Sequence, residues 1–426
     1  MPVSGSLYRR TVWRLLLPIA ILTFVNSIDR MNVSFAGQQM SRDVGLTPTD
    51  FGLGVSTFFV AYLLFQYPHA LLLRRLGIRL WLLVSMSVWG IAGVLMSRLH
   101  EQTDFVIARF VLGAAEAGFA PGMTWYISQW TPQATRARAM AIALSAVPFS
   151  LVVGGPLCGW LLGMTNPLGL QPWRWMFLVS AVPNFLFALL GALYFVDRPG
   201  KARWLAGGEG AALEAQIASE GTSQATGLAL AVALRDVRIW LCCTIWFLVM
   251  TGSYALVYWL PQIVRQLDIA KSELMIGTLS ALPQAGLVAG LFLNARHSDR
   301  RGERLRHTAG GALVGGLALM AATALPVGMV LVMLVIAGFG IGAAQGVFWT
   351  VPAALQIGGR LVPIGVIAAI NMAGTAGGIV GPSMMGALVE RFGSHAPAIM
   401  ILAGLLLLAA VLLVFSGSRP AAGMRR

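Results

Sequence analysis

Residues Arg109 to Gly122 read RFVLGAAEAGFAPG, and a second stretch, Gly342 to Phe348, reads GAAQGVF. The first lies in an apolar run long enough for a helix to cross a hydrocarbon core of about 30 Å, yet it holds two charges, Arg109 and Glu116. They stand seven positions apart, two helical turns and about 10.5 Å of rise, so both face the same neighbour. The second copy keeps the small residues and replaces the acid with Gln345. A spanning helix that recurs with its charge removed points to a membrane protein built from two related halves.

The rest of the chain agrees. Of 426 residues, 57% are hydrophobic and 11% charged, against about 25% charged in a soluble domain, and the mean hydropathy is +0.77. Such a chain cannot bury its apolar surface in water, which excludes a soluble enzyme and makes lipid its solvent. Apolar runs fall at 13–37, 50–73, 78–98, 103–130, 137–163, 173–196, 238–265, 272–295, 307–325, 327–353, 362–389 and 395–416. The first has no small-residue cleavage site and reads as a retained span. The predicted fold is all-α and integral to the membrane, with twelve transmembrane helices in two six-helix bundles. Domain boundaries are a first bundle at 1–196, a cytoplasmic linker at 197–237, and a second bundle at 238–426 with a short cytoplasmic tail. Two further repeats occupy matching places. A basic loop follows the second span of each half (Leu71 to Trp81, Asn294 to His307), and a Gly-Pro pair stands in each fifth span (Gly155-Pro156, Gly381-Pro382).

A net charge of +14 could indicate nucleic acid or membrane orientation, and position decides between them. With the N-terminus inside, 22 of the 30 Lys and Arg lie in inner loops and 6 in outer ones. This is the positive-inside bias, so both termini are predicted cytoplasmic and no nucleic acid is expected. Cys158, Cys242 and Cys243 lie in apolar runs, and the five histidines are scattered. No disulfide framework, metal site, cofactor or catalytic constellation is predicted.

Four charges remain inside spans: Asp29, Arg30, Arg109 and Glu116. A charge at mid-membrane costs about 2.5 to 3.5 kcal/mol on insertion scales, so such groups pair or line a wet cavity. One reading is a structural ion-pair cluster joining the first and fourth helices. The other is that Asp29 and Glu116 carry a coupling proton while Arg30, a planar bidentate donor, holds a substrate carboxylate. Asp29 and Arg30 point about 100° apart, so one can face the cavity and the other the packed helices. Neutral cavity candidates are Tyr62, Tyr126, Tyr254, Tyr258, Trp259, Gln284, Gln345, Phe348, Trp349 and Asn371. Packing explains each aromatic equally well, and helix-to-helix hydrogen bonding explains Gln284 and Asn371. The histidines read as loop or interface residues. Asp299 and Arg300, in HSDRRGER, read as gate residues, with Asp299 able to cap a neighbouring helix and the arginines able to pair acids.

IDRMNVSFA (28–36), GLGVSTFFVAYLLFQYP (52–68), RRLGIRLW (74–81), RFVLGAAEAGFAPG (109–122), SQWTPQATRARA (128–139), YWLPQIV (258–264), HSDRRGERLRH (297–307) and FWTVPA (348–353) resemble the anion:cation symporter family of the major facilitator superfamily, carriers of sugar acids, tartrate and phthalate. The resemblance implies proton-coupled uptake of an organic anion by alternating access, in a bacterial inner membrane and as a monomer. It implies that Asp29 and Glu116 are proton-coupling positions, that Arg30, Tyr62 and Asn371 contact substrate, and that Arg109 pairs with the acid or senses the anion. Gln284 and Trp349 complete the substrate-binding set. The wider superfamily usually has an Asp-Arg loop in the first half, where this chain has Arg74-Arg75-Leu76-Gly77, and the resemblance implies a family that commonly lacks that Asp. The alternatives are an organic-anion exchanger or efflux carrier, and a membrane sensor that does not transport.

Overall fold

The computed structural model describes residues 9–205, 207–221, 234–357, 360–361 and 364–417. Part of the predicted linker (222–233) and the basic tail with Arg419, Arg425 and Arg426 lie outside these residues. Long apolar helices dominate the described chain, because in lipid every backbone N–H and C=O must be satisfied within the segment. Ten helices have the length and composition to cross a membrane. Twelve crossings result, for two reasons. Pro48–Met96 is a single run of 49 residues, about 73 Å long and far beyond one bilayer core, and it contains spans 2 and 3. Leu305–Ala322, which opens on polar Arg306 and His307, is span 9.

Span 1 is Arg9–Val44, and spans 4 to 6 are Gln102–Ser128, Gln133–Gly163 and Pro172–Tyr194. Spans 7, 8 and 10 are Val237–Gln266, Glu273–Arg301 and Val327–Pro352, and spans 11 and 12 are Ile364–Phe392 and Ala396–Gly417. The sequence places most of these ends to within four residues, but spans 1 and 8 run on to Val44 and Arg301, seven and six residues past the predicted 37 and 295. It does not anticipate a two-residue antiparallel pairing, Gln356–Ile357 with Arg360–Leu361, between spans 10 and 11.

Spans 2 and 3 separate at Gly77, whose φ of 71° lies in the left-handed region. The next residue, Ile78, donates its N–H to Asp197 Oδ1 at 2.8 Å, so an acid from the end of span 6 caps span 3. A side chain at Gly77 would meet that carboxylate. Span 7 starts on the N-cap Asp236, which the Arg238 side chain holds below the usual carboxylate range.

Packing groups the chain into two compact units. Unit 1 is Met1–Ala36, Val60–Gly154 and Met164–Thr226, and unit 2 is Gly37–Phe59, Gly155–Gly163 and Gly227–Arg426. In unit 1, spans 3 and 6 touch where Gly93 meets Ala181 and Gly90 lies under the Phe185 ring. The linker helix Glu209–Gly221 is held by Arg10 to Glu209 at 2.7 Å and Arg136 to Glu220 at 3.8 Å. In unit 2, spans 8, 9 and 10 pack through small residues: Gly286 and Gly290 face Val335 and Phe339 carbonyls, and Gly340 faces Gly311 and Gly315. Unit 2 also includes first-half segments. Gly155 lies against Gly277, Phe51 meets Trp259 edge-on at 5.2 Å, and Glu273 takes Arg265 at 2.6 Å and Gln39 at 3.0 Å. Between spans 11 and 12, burial pushes the His395 imidazole down to about 4.

Candidate functional site

Unit 1 brings the four intramembrane charges onto spans 1 and 4. Asn26 and Arg30 stand one turn apart on span 1, and both reach the same atom of Glu116. Arg30 donates to Glu116 Oε2 from Nη2 at 3.0 Å and Nε at 3.2 Å, and Asn26 Nδ2 donates to it at 3.1 Å. Among the described residues, Oε1 of the same carboxyl has no hydrogen-bond partner. The Tyr62 ring of span 2 lies over the guanidinium, 5.0 Å from centroid to Cζ, a cation–π distance. The side chains differ in access. Arg30 is 24% exposed and Glu116 fully buried, so the base is the accessible member of the pair.

Asp29 faces the other way, as the 100° offset requires. Its Oδ2 accepts from Asn184 of span 6 at 2.6 Å and its Oδ1 from Asn32 at 3.4 Å, and the residue is buried. Arg109 is fully buried, within electrostatic reach of Glu116, and lines a small closed cavity together with Asp29. Arg109 and Glu116 thus both address span 1, as their spacing predicts.

Span 4 breaks just beyond Glu116. Its helices Gln102–Glu116 and Phe119–Ser128 are separated by Ala117 and Gly118. The His69 ring lies where a Gly118 side chain would go. His69 reads in the sequence as a loop or interface residue, and the structure corrects this. It is buried, accepts from Trp81 Nε1 at Nδ1 (3.1 Å) and contacts the Ala114 carbonyl with Nε2 (2.8 Å). Because Nδ1 accepts, Nε2 carries the proton, and the neutral ring joins spans 2, 3 and 4.

The remaining candidates except Tyr126 belong to unit 2. Gln345 donates to Ser253 Oγ at 3.0 Å and approaches the Met250 sulfur at 3.6 Å. Gln284 is buried, with Oε1 unpartnered among the described residues, and Asn371 is exposed. Trp349 meets Trp246 edge-on at 5.0 Å, and Trp246 stacks on Phe348 at 4.5 Å.

Several aromatic candidates are packing residues. Tyr126 ties its hydroxyl to the Val196 carbonyl at 2.6 Å, Tyr258 is buried edge-on against Phe59, and Trp259 donates to the Pro382 carbonyl at 3.3 Å. Asp299 is not a cap. It lies in the last turn of span 8 and pairs with Arg304, while Glu303 caps span 9 by accepting from the N–H groups of Arg306 (2.8 Å) and His307 (3.2 Å). Arg300 is exposed. The sequence reading missed Asn26 and Asn184. Asn26 could have been found by counting one turn back from Arg30, and Asn184 as an amide in an otherwise apolar span.

The comparisons with known proteins agree with this architecture. A model of the Major Facilitator Superfamily matches residues 19–356. The chain belongs to the Major Facilitator Superfamily. It is 38% identical over 99% of its length to a protein of Agrobacterium vitis named "Putative tartrate transporter", covering 93% of that protein. It is 34% identical over 94% of its length to the Inner membrane transport protein RhmT of Escherichia coli, covering 92% of it. The solved structure of a bacterial homologue of the human lysosomal transporter Spinster superposes with a TM-score of 0.71 over 96% of this chain and 95% of that one, at 19% identity. This major facilitator protein is therefore a multi-pass membrane transporter and not an enzyme.

Proposed function

We propose that this transporter moves a small organic carboxylate together with a proton, and that Arg30 and Glu116 couple the two. The observation that carries this reading is the partly exposed Arg30, which lies against buried Glu116 beneath the Tyr62 ring. A guanidinium offers two bidentate forks to carboxylates, and here Glu116 Oε2 occupies the Nε–Nη2 one. A proton on Glu116 cancels the charge that Arg30 neutralises and frees the fork for an incoming anion. An anion on Arg30 in turn favours protonated Glu116. Each ligand raises the affinity for the other by the same factor, as linkage requires.

Tartrate is a dicarboxylate, and the relative named for it supports this substrate class. Arg109 and Asp29 form the supporting charge layer, while the Tyr62 ring over Arg30 recognises the uncharged part of the substrate. Asp299 and Arg300 serve as gate residues, and the linker joins two six-helix halves. The basic loops face the cytoplasm, both termini lie inside, and the chain works alone in a bacterial inner membrane.

The test is uptake of labelled tartrate and of a panel of monocarboxylates into proteoliposomes, with and without an inward proton gradient. A carboxylate that accumulates only with the gradient, and whose binding draws a proton from a lightly buffered dye solution, is the expected result. Uptake indifferent to the gradient would overturn the coupling.

A further inference from the structure

On the Asp29 side of span 1 the helices enclose a cavity of about 10 Å³. Its polar lining is Asp29, Asn32, Trp89 and Arg109, all buried, and Leu112 and Phe177 help to close it. That volume is about what one water requires. The lining chemistry selects water as well. A guanidinium, an amide and an indole N–H supply donors, and one carboxyl supplies the acceptors. The guanidinium disfavours a metal cation, and an anion is larger and would face Asp29.

Trp89 provides the second observation. Its indole is 1% exposed, and Nε1 lies beside the Asp29 carboxyl without reaching hydrogen-bond geometry to any described group. A buried indole N–H nearly always has a partner, and a water at this point would supply one.

We propose that the cavity is a single-water site, in which one water accepts from Trp89 Nε1 and donates to Asp29, making Trp89 a positioning residue for the Asp29 proton. This rests on the proton-coupled reading above only for its consequence in transport. The water's donated hydrogen bond favours the ionised form of Asp29. The other groups facing that carboxyl are Asn184 of span 6, Asn32 of span 1, and Arg109 and Glu116 of span 4. None of them touches Trp89 Nε1. Removing the indole N–H should therefore move Asp29 and leave the Arg30 to Glu116 pair in place.

The experiment is infrared difference spectroscopy of the purified full chain in lipid, titrated with pH, with Asp29→Asn used to assign the Asp29 carboxyl band. In the wild type, a water O–H stretch that shifts in oxygen-18-labelled water and disappears in Asp29→Asn is expected. In Trp89→Phe the Asp29 midpoint should move about half to one pH unit alkaline, while counterflow exchange at fixed pH stays within about twofold. An unmoved midpoint in Trp89→Phe, or no labelled-water band in the wild type, overturns the water site. The wild-type band needs no variant, so misfolding of Trp89→Phe leaves the test intact. A moved midpoint in a protein whose uptake ignores the proton gradient would support the water site and reject the coupling.

Discussion

The two copies of the GAA motif differ at three positions, and each difference has a physical consequence. In span 4, Glu116 is fully buried and holds Arg30 and Asn26; in span 10, Gln345 holds a serine hydroxyl and a thioether among the described residues. Ala117 in the first copy aligns with Gly346, and Gly118 with Val347. The first copy breaks its helix there and admits the His69 ring, whereas the second stays helical to Phe348 with Val347 buried. The motif is thus charged and followed at once by a turn in one half, and neutral and helical through Phe348 in the other. The comparison teaches that one carboxyl-to-amide exchange and a local turn are enough to give the same place in the motif a different charge and different partners in the two halves.

The strongest way to break the contrast is Glu116→Gln, which gives the first half the second half's residue. Concentrative uptake should fall by the whole proton–anion coupling, about 5- to 150-fold, while counterflow exchange persists, as measured in proteoliposomes. Gly118→Val copies the second half's side chain into the space of the His69 ring. It should cost about 1 to 3 kcal/mol or more by overpacking, read as a lower melting temperature in detergent. The reverse exchange, Gln345→Glu, puts a half-buried carboxyl beside Ser253, where the described contacts include no base. A loss of about 1 to 3 kcal/mol at neutral pH, partly recovered in acid, is expected from thermal unfolding at two pH values. The smallest effect is that of Asn26→Ala. It removes one of three hydrogen bonds that favour ionised Glu116, so the uptake optimum should move alkaline by about half a pH unit.

Much of this molecule is legible from period and composition. Helices in lipid must be long, apolar and internally hydrogen-bonded, so hydropathy locates the spans almost by itself. The four intramembrane charges are equally visible, because each is costly enough to need a reason. The direction each of them faces is less legible. The 100° offset of Asp29 and Arg30 requires them to diverge but does not say which faces the packed helices, and the answer depends on Asn184, some 155 positions away. The His69 tautomer and the Asp197 cap on Ile78 likewise depend on partners distant in sequence. Their effects are local, so no periodicity reveals them. The membership of Gly37–Phe59 and Gly155–Gly163 in unit 2 is a matter of packing, and a linear reading of halves has no access to it.

The seams of spans 8, 9 and 10 have a consequence for how this protein can change. Where Gly286, Gly290, Gly338, Gly340 and Gly342 meet backbone atoms of neighbouring helices, even one methyl group forces the helices apart. In a saturation-mutagenesis map these positions should form an intolerant ribbon through unit 2. Exposed Asn371 and half-buried Trp349, which no such seam constrains, should accept many residues. The glycine ribbon then keeps the scaffold constant while those positions vary.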